Sequence, residues 1–203
     1  MRSSGAISLP ARKAPGFVGR AQRILTQPGR EWGVINGEFT NTPALYRGYI
    51  MPLSAIGPLA ALIGSAVFGE SGSLFGMVEI SLGHAVQDSI TRYLLGLASV
   101  WALALALEFV SPSFGGTPNR VQALKVAAYG STPAWVCGIL GLVPRLAPYG
   151  LIGVVWSLVL VAKGAPLLLK VQDSDRAKAF GFVAAGGAAI VLIIFEVLAN
   201  LFG

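Results

Sequence analysis

One cysteine, one histidine and few charges limit this 203-residue chain more than anything abundant in it. Cys137 alone excludes an intramolecular disulfide and a cysteine-only metal cage, and its apolar surroundings give it a packing role. His84 has only Glu79 near it in sequence, too few ligands to hold a metal, so neither a metal nor any other cofactor is expected. Asp, Glu, Lys and Arg together make up 12% of the residues. No set of nucleophile, base and acid can be assembled from them. The pair Gly115-Gly116 lacks the lysine and spacing of a phosphate loop, and Gly181 to Gly187 lies inside an apolar run and reads as helix packing. An enzyme is not expected. Acids are absent altogether from residues 1–30, which carry Arg2, Arg12, Lys13, Arg20, Arg23 and Arg30. That stretch also lacks the apolar core of a cleavable signal peptide. A basic cytoplasmic tail explains it, with an organelle transit peptide as the alternative.

Apolar residues fill the rest. The chain is 54% hydrophobic with a mean hydropathy of +0.69, values that point to an all-α integral membrane protein. A bilayer core needs roughly 20 apolar residues per helix. Runs of that length predict a five-transmembrane-helix bundle with spans at about 46–68, 89–110, 124–143, 149–169 and 179–202. Residues 1–40 then form a basic N-terminal region and 41–203 the membrane domain. In the first region Phe17, Ala21, Ile24 and Leu25 recur at helical spacing, with Arg20 and Arg23 off that face. This predicts a short N-terminal amphipathic helix, lying either on an anionic leaflet or on the membrane domain.

The net charge of +6 is uneven, and so it does not signal nucleic acid. With five spans and the N-terminus inside, Arg2, Arg12, Lys13, Arg20, Arg23, Arg30, Arg47, Arg120, Lys125, Lys163, Lys170, Arg176 and Lys178 fall on the inner side. Only Arg92 and Arg145 fall outside. That excess predicts an N-terminus in the cytoplasm and a C-terminus outside. Small residues recur every fourth position at Gly57, Ala61 and Ser65, and again at Gly130, Ala134 and Gly138. Such stripes predict close helix contacts, within one chain or between copies in a homo-oligomer. Asp88 and Arg92 are spaced to pair at one helix end.

The reversal after Glu108 organises the chain. Pro112 stops a helix, Gly115 and Gly116 allow a tight turn, and Pro133 breaks the apolar run that follows. Three charges fall in or beside spans: Glu108, Lys163 and Glu196. Glu196 is expected near the outer surface, solvated. Glu108 and Lys163 sit at similar depth, so a cluster is expected of Glu108, the loop Pro112, Phe114, Gly115, Gly116 and Asn119, the break at Pro133 with Tyr129 and Trp135, and Lys163 reaching in from the fourth span.

These residues carry a resemblance. The segment Pro112-Ser113-Phe114-Gly115-Gly116, then Asn119, Gln122-Ala123-Leu124-Lys125 and Ala128-Tyr129-Gly130-Ser131-Thr132-Pro133-Ala134-Trp135 resembles the Ypt/Rab-interacting protein (YIP domain) family in its bacterial form. Pro52-Leu53-Ser54-Ala55-Ile56-Gly57-Pro58 and the earlier Pro28, Glu31 and Trp32 are similar to it as well, and the likeness runs from about Gly19 to the C-terminus. It implies five spans, a cytoplasmic N-terminus and, for a bacterial member, the inner membrane. Eukaryotic members carry Asp-Leu-x-Gly-Pro in the first span. Here Gly57 and Pro58 match, while Ser54 and Ala55 stand at the Asp and Leu positions. The resemblance leaves the activity open.

The expected function is that of a non-enzymatic multi-pass membrane protein organising partners or bilayer through its cytoplasmic face. Its partners would be the lipid bilayer, a membrane or cytoplasmic protein, and a second copy of itself. The alternative is a small transporter or channel for an ion, lipid or small solute, motivated by the helix breaks at Pro58 and Pro133. An enzyme acting on lipid ranks third.

Overall fold

The computed structural model describes residues 16–68 and 82–203. Among these every regular element is helical. Two short helices come first, α1 (Phe17–Thr26) and α2 (Pro28–Gly37), the second begun by a proline at its first position, where no N–H is needed. One long helical stretch follows, Thr42–Phe68. It comprises α3 (Thr42–Leu45), a π turn (Tyr46–Ile50), α4 (Met51–Ser54) and α5 (Ile56–Phe68). The irregularities have a local cause. Pro52 and Pro58 supply no N–H to the carbonyls four residues earlier, so the ladder widens before the first and breaks at Ala55 before the second.

Next comes α6 (Leu82–Val110), which tightens into a 3-10 turn at Ser111–Phe114. Asn119 then starts α7 (Arg120–Gly130) by accepting a hydrogen bond from the Gln122 N–H at 3.0 Å. Pro133 ends that helix: with no N–H for the Tyr129 carbonyl, the chain breaks at Ser131 and resumes as α8 (Thr132–Cys137). Two 3-10 turns, Gly138–Leu142 and Pro144–Gly150, lead to α9 (Leu151–Leu168), and α10 (Ser174–Phe202) closes the chain.

Four stretches among the described residues are long and apolar enough to cross a membrane: Thr42–Phe68, Leu82–Phe114, Pro144–Leu168 and Ser174–Phe202. Their outward faces are apolar; α10 alone exposes Ile190, Ile193, Ile194, Val197 and Leu201. Such a surface requires a hydrocarbon solvent, and the molecule is an all-α membrane protein. The stretch expected as the third span, 124–143, is not one continuous helix: it is divided among α7, α8 and the first 3-10 turn. Its placement explains why it can break. Every residue from Ala123 to Gly130 is buried, with α7 packed between α6 and α9. A helix enclosed by protein can lose ladder hydrogen bonds that a lipid-facing helix must keep.

Small residues set the closest approaches. Gly138 faces Gly57, where a Cβ on Gly138 would lie 2.8 Å from the Gly57 Cα. Gly141 abuts the Ala61 backbone, and Gly64, rather than Ser65, meets the carbonyls of Gly141 and Leu142. The hydroxyl of Ser65 bonds to Leu62 in its own helix. The second stripe divides: Gly130 lies against Val161 and the Ala134 N–H bonds to the Ser157 hydroxyl, both on α9, while Gly138 turns to α5.

Candidate functional site

The bundle has two faces. The near face carries α1, α2, the turn Ser111–Phe114 and the start of α10. The far face carries the start of α6 and the end of α10, where the Gln87 side chain donates to the Phe202 carbonyl at 3.3 Å.

On the near face α1 and α2 are seated in the bundle. Ala21, Ile24, Trp32 and Ile35 belong to the same buried core as Leu124, Val161 and Phe180. Packing therefore continues across residue 40, the boundary expected between an N-terminal region and a membrane domain. Trp32 lies over α9 at Gly164, where a Cβ would come within 2.6 Å of its ring. Glycine is required there because the indole occupies the space of a side chain.

A buried ionic cluster completes the seat. Arg20 donates to Glu31 and Glu38, and its guanidinium lies 5.7 Å from the Tyr129 ring centroid. Burial disfavours the Arg20 charge. The hydrogen bond and charge of Glu38 and the charge of Glu31 more than offset that, so its pKa is raised above that of an ordinary arginine. Sequence spacing had set Arg20 on the polar side of an amphipathic helix. In the structure it points inward with Ala21 and Ile24, because Glu31 and Glu38 reach it from the next element. Lys125, buried on α7, donates to the carbonyls of Ile35 at 2.9 Å and Glu38 at 2.6 Å. A cation from another helix thus caps the end of α2, where carbonyls lack partners. Tyr129 stacks edge-on against Tyr49 at 4.6 Å, and the Tyr49 hydroxyl shares a 2.8 Å hydrogen bond with Thr132.

The cluster expected around Glu108 is rearranged. Arg120, across the turn, takes the Glu108 carboxylate and also lies over Trp101. Lys163 is exposed on α9 and is not that partner. The reversal at Gly115, with φ of 75°, returns the chain so that Arg120 reaches the end of α6 first. Glu108, Pro112 and Arg120 line an open groove with Phe109 and Pro118. Phe114 turns away to stack on Phe180 at 5.4 Å. Gly116 sits beside the Leu169 carbonyl, which accepts the Thr117 N–H at 2.7 Å. Tyr129 belongs to the Arg20 cluster, Pro133 is buried at the helix break, and Trp135 lines a cavity toward the far face.

On the far face Arg92 gathers three partners. Its Nε lies 2.9 Å from Asp88, Nη1 2.5 Å from Glu196 and Nη2 2.9 Å from Asn200. The Asp88–Arg92 pair follows from spacing four on one helix. Glu196 is paired with Arg92 rather than simply solvated. Among the described residues no group of three His, Cys, Asp or Glu could hold a metal. Glu79, considered with His84, lies outside the described residues.

A family model, the Yip1 domain, matches residues 23–197. The chain belongs to the Yip1 domain family. It is 21% identical over 183 residues to the inner membrane protein YohC of Escherichia coli K12, covering 89% of this chain and 94% of that protein. The likeness to YohC of Escherichia coli O6:H1 has the same extent. No solved structure matches. The match to the Yip1 domain begins inside α1, so Glu31, Glu38 and Trp32 fall within it and Arg20 lies just before it. Sequence reasoning missed that cluster. Its signal was present in Glu31 and Glu38, the only acids ahead of the first span, spaced two helical turns apart.

Proposed function

We propose that this Yip1 domain protein is a non-enzymatic multi-pass protein of the bacterial inner membrane that organises partners or bilayer through its near face. The observation that carries this reading is the seating of α1 and α2. Their inner side is locked by Arg20, Trp32 and Lys125, while Phe17, Val18, Arg23, Arg30, Val34 and Phe39 point outward. A rigid platform of mixed apolar and basic side chains suits an anionic leaflet or a protein bound to one. In this reading α1 serves in the place of the short amphipathic helix expected from the sequence, with Arg20, Ala21 and Ile24 turned toward protein. The near face is taken as cytoplasmic, since the basic residues collect there. Five crossings are inferred. Residues 120–143 start beside Glu108, at the near end of α6, and end beside Gly64, close to the far end of α5. YohC, by its name an inner membrane protein, supports the location.

Removing residues 1–40 would strip Ile24, Trp32 and Ile35 from the core, so the test is a surface variant. Arg23→Glu, Arg30→Glu and Phe39→Ser combined leave the seat intact. The variant is expected to melt like the parent while losing cross-linked partners in native membranes and losing remodelling of anionic vesicles. Unchanged partner recovery together with unchanged remodelling would place the working surface elsewhere.

A further inference from the structure

A cavity of about 260 Å³ opens among α5, α6, α8 and α10. Its walls include Gly57, Pro58, Gly96, Trp135 and Leu192, with Ser99 deeper, and its rim is Arg92 and Glu196. From Arg92 to Ser99 the wall of α6 runs about 10 Å at the helix rise. Gly96 fronts this space on α6. A Cβ at Gly138 or Gly64 would strike backbone, whereas one at Gly96 would meet nothing within 4 Å. That glycine serves a space and not a helix contact.

The rim has a defined charge pattern. One arginine stands between two carboxylates, Asp88 and Glu196, so acid is in excess. Three of the five guanidinium N–H donors go to Asp88, Glu196 and Asn200, and two are left on Nη1 and Nη2. Glu196 bonds Arg92 through one oxygen and is largely exposed, so it can accept further. An occupant must therefore bring an acceptor for Arg92 and a positive N–H donor for Glu196, above an apolar tail. A purely anionic headgroup meets excess acid. A trimethylammonium supplies no N–H.

We propose that this far-face cavity holds a zwitterionic phospholipid with a primary amine. Its phosphate accepts from Arg92, its ammonium donates to Glu196, and one acyl chain lies along Gly96 toward Ser99. The selectivity resides in Glu196 and the capacity in Gly96.

Native mass spectrometry of the full chain in mixed micelles tests both halves, using phosphatidylethanolamine, phosphatidylcholine and phosphatidylglycerol with identical chains. The parent is expected to retain one phosphatidylethanolamine about tenfold more tightly than either competitor, a difference of one decade in Kd. Glu196→Gln is expected to bring phosphatidylethanolamine down to the phosphatidylcholine level. Gly96→Leu, which keeps Arg92, Glu196 and the neighbouring Asp88, is expected to empty the selective site. Equal retention of the three lipids in the parent would reduce the cavity to ordinary boundary lipid and overturn the proposal. So would selectivity that survives both variants. A dimeric mass that excludes lipid would assign the cavity to a second copy instead.

Discussion

Two arginine–carboxylate clusters tie this chain together, one at each face, and the difference that matters most between them is exposure to water. On the near face the side chains of Arg20 and Glu31 are 4% and 6% exposed. On the far face those of Arg92 and Glu196 are 28% and 63% exposed. The near ion pairs join adjacent segments, 11 and 18 residues apart, and the far one ties α6 to α10 across 104 residues. Water screens the far cluster and replaces any partner it loses. Arg20 and Glu31 have been taken out of water, with Glu38 at the edge still 30% exposed, and the two buried charges depend on their partners for solvation. Identical chemistry therefore makes one face a fixed seat for α1 and α2, and leaves the other free to offer unused hydrogen-bonding capacity to an occupant.

Breaking the near cluster should have the largest effect. Glu31→Ala leaves the buried Arg20 short of a partner and is expected to destabilise the protein by about 3–5 kcal/mol in detergent unfolding. Arg20→Met combined with Glu31→Leu removes charge and counter-charge together and should recover most of that loss. If the single and double variants unfold alike, burial does not distinguish the two faces.

Filling the groove under Trp32 tests the seat without touching a charge. Gly164→Leu forces a side chain into the indole and is expected to cost about 1–3 kcal/mol. Faster amide exchange should appear across α1 and α2 and leave α10 unchanged.

The far cluster should respond weakly. Glu196→Gln is expected to lower stability by less than about 1 kcal/mol, because the pair is wet and Arg92 keeps Asp88. The loss should shrink further at high salt. A loss as large as that of Glu31→Ala would erase the contrast.

The smallest effect concerns an acid with no role in either cluster. Asp173 caps α10 by accepting from the Arg176 N–H at 2.8 Å and the Asp175 N–H at 3.0 Å. These bonds, that of Arg176 foremost, hold its pKa below the ordinary 3.8. A depressed folded pKa stabilises above the unfolded value, and the contribution disappears as pH falls through the folded one. Fraying at Ser174–Ala177, followed by NMR amide shifts, is expected to begin only below about pH 4. It should be absent from the pH profile of Asp173→Asn.

Some of this structure was legible along the chain. Apolar runs announce helices in lipid because backbone groups there must bond internally. Pro58 and Pro133 announce breaks because each withholds an N–H from a known carbonyl. Gly115 announces the reversal, and Asp88 with Arg92 announces a pair, because spacing four on one helix brings them together. These are rules about neighbours in sequence, and residues close in sequence obey them whatever the rest of the chain does.

Tertiary structure decided the choices among distant partners. Span counting pairs Glu108 with Lys163, and the turn gives it to Arg120 instead. Counting residues along a helix yields depth but not the direction a neighbouring helix presents. Arg20 looked like a surface charge because periodicity describes the angle of a residue about its own axis. Whether that angle faces water depends on what packs there: Glu31 and Glu38 fold back from the next segment and Tyr129 comes from α7. The apolar run at 124–143 reads as a span like the others, yet α7 is enclosed on all sides and free to break at Ser131. Hydropathy cannot separate a helix bathed in lipid from one surrounded by protein, since both solvents are apolar. Only the packing of α6 and α9 around it does.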